Sequence, residues 1–228
     1  MTTLDSDQKI AEAMLKFPIQ SFVYERSTKK AMNACSFALI GSSKSGKTSL
    51  LKFIVKKYFD DDIKVLMTQS PQADIYKSLR KEVAFSPAYI PDIIKTCYLI
   101  NKNTSNHYKF CIILDDIVGV KNDRQMVKLT ALYRNSGLSY LVVGQDLTML
   151  NPIGRANVNN VLLGKLVSAG RIEQVVKDFC RFHFPKNLSM QEKFELYNRL
   201  TQDHCFIFIN QLENTISRVR LSESQLLD

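Results

Sequence analysis

Residues 41–48 read Gly41-Ser42-Ser43-Lys44-Ser45-Gly46-Lys47-Thr48, a full match to G-x-x-x-x-G-K-[ST]. Glycines at the first and sixth places allow backbone conformations that turn amide N–H groups inward. At the positive end of a following helix those groups cradle phosphate oxygens. Lys47 is placed to reach β and γ phosphates, and the Thr48 hydroxyl is a Mg²⁺ ligand of the right hardness. The segment expected to touch a nucleotide therefore runs from Gly41 through Ser42, Ser43, Lys44, Ser45, Gly46, Lys47 and Thr48 to Ser49. Flanking sequence supplies the context the motif needs. An apolar run, Phe37 to Ile40, leads in, and Thr48 to Tyr58 leads out with Leu51, Ile54, Val55 and Tyr58 on one helical face.

A phosphate loop does chemistry only with acidic and polar groups opposite it. The run Phe110 to Leu114 ends in Asp115 and Asp116. Asp115 is expected to hold Mg²⁺ through water, and Asp116 to orient or deprotonate the attacking water. The next apolar run, Tyr140 to Val143, leads through Gly144 to Gln145, a side chain suited to hydrogen-bond a γ-phosphate or the lytic water. Cys180, His183, His204 and Cys205 match the ligand count of a structural zinc site. Their spacing is poor, because adjacent His204 and Cys205 point to opposite faces of a strand.

These groups must be carried by strand ends. From residue 36 onward, short apolar runs alternate with segments long enough for a helix, which is the pattern of parallel βα units. Expected strands are Phe37 to Ile40, Ile63 to Thr68, Phe110 to Leu114, Tyr140 to Val143, Val161 to Leu163 and Cys205 to Ile209, with Thr215 to Leu221 returning beside the last. Several lack alternation, as strands covered on both faces should. Expected helices are Thr48 to Tyr58, one opened by Pro91 and Asp92 and running to Ile100, one capped by Asn122 and closed by Gly137, and one opened by a Ser189–Glu192 capping box. The fold class is α/β with a mainly parallel sheet. Residues 1–35, with a helical stretch and a β-like Phe22 to Tyr24, read as an N-terminal extension to a single domain over 36–228.

The 228-residue chain is 45% hydrophobic with 8 Gly and 6 Pro, which excludes disorder and low-complexity repeats. Its apolar runs stop at about five residues where a membrane span needs roughly twenty, so no transmembrane segment is expected. The N-terminus has no apolar signal-peptide core. Five cysteines without a C-x-x-C pair suggest no disulfide framework and a reducing compartment. The formal charge is +9, and eight of the nine surplus charges fall between residues 36 and 165. Part of that surplus serves phosphates directly. Lys52, Lys56, Lys57, Lys77, Arg80 and Lys81 remain as the place for a polyanion, the last three clustered by i, i+3 and i+4 spacing.

Taken in order, the loop, the DD strand end, Arg134, the strand ending in Gln145 and the segment Pro152-Ile153-Gly154-Arg155-Ala156-Asn157 resemble the viral genome-packaging ATPases of the poxvirus and giant-virus type. That group is a branch of the FtsK/HerA superfamily of double-stranded DNA translocases. The resemblance covers residues 36–165, and that family often has Arg-His where this chain has Arg134-Asn135. It implies a P-loop NTPase fold, ATP and Mg²⁺ as cofactors, and sequence-independent binding of double-stranded DNA. It also implies a homo-oligomeric ring of five or six subunits, a capsid or portal partner, and a place at viral assembly sites in the host cytoplasm or in the virion. By the same resemblance Arg134 and Arg155 are candidate arginine fingers for a neighbouring subunit. Two other classes compete. A nucleoside or nucleotide kinase needs an acceptor pocket and an Arg-rich lid, for which only the Arg171 and Arg181 region offers material. A non-catalytic nucleic-acid module would not need Lys47, Thr48, Asp115 and Asp116 intact. An ABC-type ATPase would carry an LSGGQ-like signature, which this chain lacks.

Overall fold

The computed structural model describes residues 3–26, 34–69, 76, 79 and 83–227. The chain opens with α1 (Thr3–Met14) and a short strand β1 (Ile19–Ser21), then enters βα units at β2 (Ser36–Ile40) and α2 (Lys47–Tyr58). These continue as β3 (Ile63–Thr68), β4 (Val83–Ser86), α3 (Pro91–Asn103), β5 (Phe110–Asp115), α4 (Arg124–Ser136) and β6 (Leu138–Gly144). The remainder is α5 (Pro152–Asn157), β7 (Asn160–Leu163), α6 (Ala169–Val175), α7 (Met190–Leu200), β8 (Phe206–Asn210), β9 (Thr215–Arg220) and α8 (Glu223–Leu227).

Among the described residues, nine strands form one sheet in the order β1-β9-β8-β7-β2-β6-β5-β3-β4. β7, β2, β6, β5, β3 and β4 run parallel, and β8 alone is antiparallel to its neighbours. β2, β5 and β6 are buried along their whole length, which explains their unbroken apolar runs. Their side chains alternate between two cores. Ala38, Ile112 and Tyr140 join Ile94, Leu129 and Tyr197 from α3, α4 and α7 on one face. Phe37, Ile113 and Leu141 join Leu51, Phe53 and Ile54 from α2 on the other.

Where the expected elements shift, local chemistry accounts for it. The N-cap of α4 is Asp123, not Asn122, because its carboxylate accepts from the backbone N–H groups of Gln125 and Met126. Gly137 closes that helix in the left-handed conformation, φ 63°. Ser189 and Glu192 form the capping box reciprocally. The β-like Phe22 to Tyr24 is not the strand. Ile19–Ser21 takes the ladder position, pairing parallel with β9, and Phe22 then turns into the core. There it meets Phe53, Tyr58 and Phe208 edge to face at 6.3, 6.0 and 5.2 Å. β4, α5 and α6 had no clear periodic signal.

The N-terminal segment is thus built into the fold, with Phe22 its most buried aromatic anchor beside Phe17 on Phe184 and Tyr24 on Phe37. Phe22→Ala is expected to cost about 3–5 kcal/mol of stability in urea unfolding. Leu15→Ala, at a position 82% exposed, should stay within about 0.5 kcal/mol.

Candidate functional site

The loop between β2 and α2 is tied on both sides. The Gly41 N–H donates to the Gly144 carbonyl at the end of β6 (3.0 Å), and the Ser42 N–H and hydroxyl donate to the Lys165 carbonyl just beyond β7 (2.7 and 2.9 Å). Lys44 and Gly46 hold left-handed backbone, φ 63° and 96°. A Cβ at Gly41 would lie 2.6 Å from the Ser45 hydroxyl, so that position admits only glycine without rearrangement. Lys47 is buried and its ammonium donates to the carbonyls of Gly41 (2.7 Å) and Ser42 (2.8 Å), bridging the start of its own loop. Burial pushes its pKa down, against the pull of Asp116 and Asp115. The Ser45 hydroxyl is buried inside the loop and has no hydrogen-bond partner among the described residues.

The two acidic residues are separated by the backbone. Asp115, 6% exposed, closes β5 in register with Thr68 at the end of β3. Its carboxylate accepts from the Thr68 hydroxyl (3.2 Å) and the Tyr76 phenol (2.5 Å). Burial holds the Asp115 pKa above the ordinary carboxylate range, with the Tyr76 hydrogen bond opposing and the Asp116 charge reinforcing. The Tyr76 phenol is pushed up in turn, by burial and then by the charge of Asp115. Asp116 adopts a left-handed φ of 48°, and its N–H donates to the Val143 carbonyl (2.9 Å), so its half-buried side chain leaves the strand direction. Aspartate tolerates that conformation better than most residues.

β6 lies between the loop strand and the acidic strand, with Gly144 level with Ile40 and Val143 level with Asp115. Gln145, exposed and immediately past β6, therefore stands between the phosphate loop and the acidic pair. Arg171 on α6 fixes the same turn. Its Nε pairs with Asp146 at 3.0 Å, and Nη1 donates to the Gln145 carbonyl at 3.5 Å.

Loop, Asp115, Asp116 and Gln145 are thus gathered at one edge of the sheet. The two candidate arginine fingers are elsewhere. Arg134 ends α4 near where β6 begins, at the opposite edge of the sheet. It donates to the Tyr133 hydroxyl (2.8 Å) and to the Asn159 side chain, and lies over the Tyr133 ring. Arg155 on α5 donates to the Leu150 carbonyl (2.9 Å) and pairs with Asp178 (3.3 Å) in a π-helical turn, Val176–Cys180. Lys77, Arg80 and Lys81 lie outside the described residues. Cys180 is fully buried and its thiol is pushed up by burial. His204 instead stands beside Gly46, so these four residues do not converge, and no group of three or more His, Cys, Asp or Glu is placed for a metal among the described residues.

Sequence reading missed Thr68 and Tyr76 as residues of the site and weighed Arg171 only as material for a kinase lid. Thr68 was visible as the end of an expected strand, but its pairing with Asp115 needed the strand order. Tyr76 and Arg171 carry no motif, since each reaches the site through tertiary placement.

No protein-family model matches the chain, and no curated protein sequence matches it. Solved structures do. The genome packaging NTPase B204 from Sulfolobus turreted icosahedral virus 2, in complex with sulfate, superposes with a TM-score of 0.59 at 15% identity, covering 83% of this chain and 97% of that one. B204, the DNA-packaging ATPase from Sulfolobus Turreted Icosahedral Virus, gives 0.58 at 11% identity over 84% and 100% of the two chains. The pCW3 conjugation coupling protein TcpA, in its monomer form with ATPgS, gives 0.54 at 12% identity over 81% of this chain and 59% of that one. What is shared at these identities is the fold, that of the P-loop NTPases.

Because the folded-state pKa of Asp115 exceeds the unfolded value, its ionisation opposes folding. The penalty is absent well below the ordinary aspartate pKa of about 3.9 and complete once pH passes the raised value. Asp115→Asn, whose side-chain oxygen still accepts from Tyr76 and Thr68, is expected to raise Tm by a few degrees at neutral pH. The gain should vanish at acidic pH in differential scanning calorimetry.

Proposed function

We propose that this chain is an ATP-hydrolysing translocase of double-stranded DNA that packages a viral genome. The observation that carries the reading is the gathering of phosphate loop, Gln145 and acidic pair on three adjacent parallel strands, β2, β6 and β5. The fold shared with B204 and TcpA, crystallised with ATP analogues, supports it.

The loop amides and the N-terminus of α2 receive the phosphates, and Lys47 exchanges its two loop carbonyls for β and γ oxygens. A donor set of the Thr48 hydroxyl and the Asp115 carboxylate fits a hard divalent cation, and the buried Ser45 hydroxyl, without a partner among the described residues, fits a phosphate oxygen beside it. When bound, Mg²⁺ would neutralise charge building on the phosphate oxygens. Asp115 is held in place by Thr68 and Tyr76, while Asp116, turned out of the strand, orients or deprotonates the attacking water. Gln145 hydrogen-bonds that water or the γ-phosphate and reports its loss through the Asp146–Arg171 pair.

Subunits assemble as a ring of five or six with a capsid or portal partner, at viral assembly sites in the host cytoplasm. An arginine from a neighbour completes the site in that ring. Arg155 can serve only by leaving Asp178, and Arg134 only by leaving Asn159 and Tyr133. The duplex is held through its phosphates by the surplus positive charge of residues 36–165, with Lys52, Lys56 and Lys57 on α2 part of that surface. Binding should fall with salt at a log–log slope of about −0.9 for each phosphate neutralised.

ATP turnover measured with and without double-stranded DNA tests the reading. DNA should stimulate turnover, and Asp116→Asn should reduce it by about 10²-fold or more while leaving ATP binding intact. Phosphate transfer to a nucleoside, indifferent to DNA, would replace this reading with a kinase.

A further inference from the structure

A cavity of about 820 Å³ opens beside the phosphate loop, on the side away from the acidic strand. One wall is the loop and first turn of α2, Lys44 to Ser49. The other walls come from the two ends of the chain: Ile19 and Ser21 of β1, the turn before β8 with His204, and Arg220 and Leu221 where β9 runs out toward α8. Asp115, Asp116 and Gln145 do not line it. Strand order explains the asymmetry. From β2, the acidic strand lies two places one way, and β8, β9 and β1 lie the other way.

We infer that this cavity takes the base and ribose of the nucleotide, with His204 as a stacking wall, so that specificity for a nucleoside is set by residues from both chain ends. The inference rests on the nucleotide reading above. Phosphates held by the loop must turn their γ end toward Asp116 and Gln145 for hydrolysis, which sends the nucleoside the opposite way, into this space. Its size is in the range of small-molecule sites. Its lining suits a planar heteroaromatic ring. The His204 imidazole closes directly on the loop, its Nδ1 being 3.5 Å from where a Cβ on Gly46 would stand. Ile19 is 46% exposed and Leu221 half-buried, so apolar surface remains available to a ring. Arg220 pairs in register with Ser21, and both residues line the cavity, offering a guanidinium and a hydroxyl to a ribose or base. Asp203 and His204 are both left-handed, φ 54° and 58°, in a turn closed by the Cys205 N–H donating to the Gln202 carbonyl (3.0 Å).

Isothermal titration of the full chain with ATP and, separately, with inorganic tripolyphosphate tests this in the presence of Mg²⁺. His204→Asn tolerates the left-handed backbone and removes only the ring. It should raise the Kd for ATP about tenfold and leave that for tripolyphosphate unchanged. Ile19→Asp, which sets a carboxylate in the cavity, should do the same. Lys47→Ala should weaken both ligands. ATP affinity untouched by His204→Asn and Ile19→Asp, or ATP bound no more tightly than tripolyphosphate by the unsubstituted chain, would place the base elsewhere and leave the ATPase reading standing. An unsubstituted chain that binds neither ligand would overturn both.

Discussion

Register between three parallel strands is the constraint on which the rest of this molecule depends. β2, β6 and β5 are buried on both faces, so a slip of one residue would send every side chain into the wrong core. Because they cannot slip, Ile40, Gly144 and the Val143–Asp115 pair end level with one another. Every candidate group of the site follows from those ends: the loop leaves β2, Gln145 leaves β6, and the acidic pair leaves β5. The backbone then refines the placement. A hydrogen bond from Gly41 to Gly144 ties the loop to the intervening strand, and one from Asp116 to Val143 ties the acidic turn to the same strand from its other side.

Holding these groups ready costs stability. Asp115 is a buried carboxylate whose ionised form is disfavoured, and Lys47 is a buried ammonium whose charged form is disfavoured too. Each is compensated locally, by the Thr68 and Tyr76 hydroxyls in one case and two loop carbonyls in the other. A ligand bringing both phosphate and a divalent cation would answer both charges at once, which is the physical sense in which the site is preorganised.

Much of this architecture was legible because its signals are local. The loop motif, the capping box at Ser189 and Glu192, the glycine stop at Gly137 and the unbroken apolar strands each express a short-range requirement of backbone or burial. Those elements appear within a residue or two of where sequence put them. What stayed hidden depends on strand order. Nothing near Thr68, Tyr76 or Arg171 announces that it will meet Asp115 or Gln145. His204, noted for its neighbour Cys205, matters for its contact with a glycine far away in sequence. Charge misled in a similar way. Lys64 donates to the carbonyls of Phe59 and Asp60, and Arg26 pairs with Asp62 over the Phe59 ring, so part of the positive surplus is internal structure. Arg134, which a linear order of motifs sets beside the catalytic groups, ends at the far edge of the sheet because its helix runs back antiparallel to the strands.

The central claim is that one sheet edge holds a nucleotide with its γ-phosphate between the loop and the intervening strand. A structure of the chain with Mg²⁺ and a non-hydrolysable ATP analogue tests it most directly. The account predicts the γ-phosphate within hydrogen-bond reach of the Lys47 ammonium and the Gln145 side chain, with the metal beside Thr48 and Asp115. An analogue bound with its γ-phosphate turned away from Gln145 and Asp116, or bound outside the loop altogether, would contradict it.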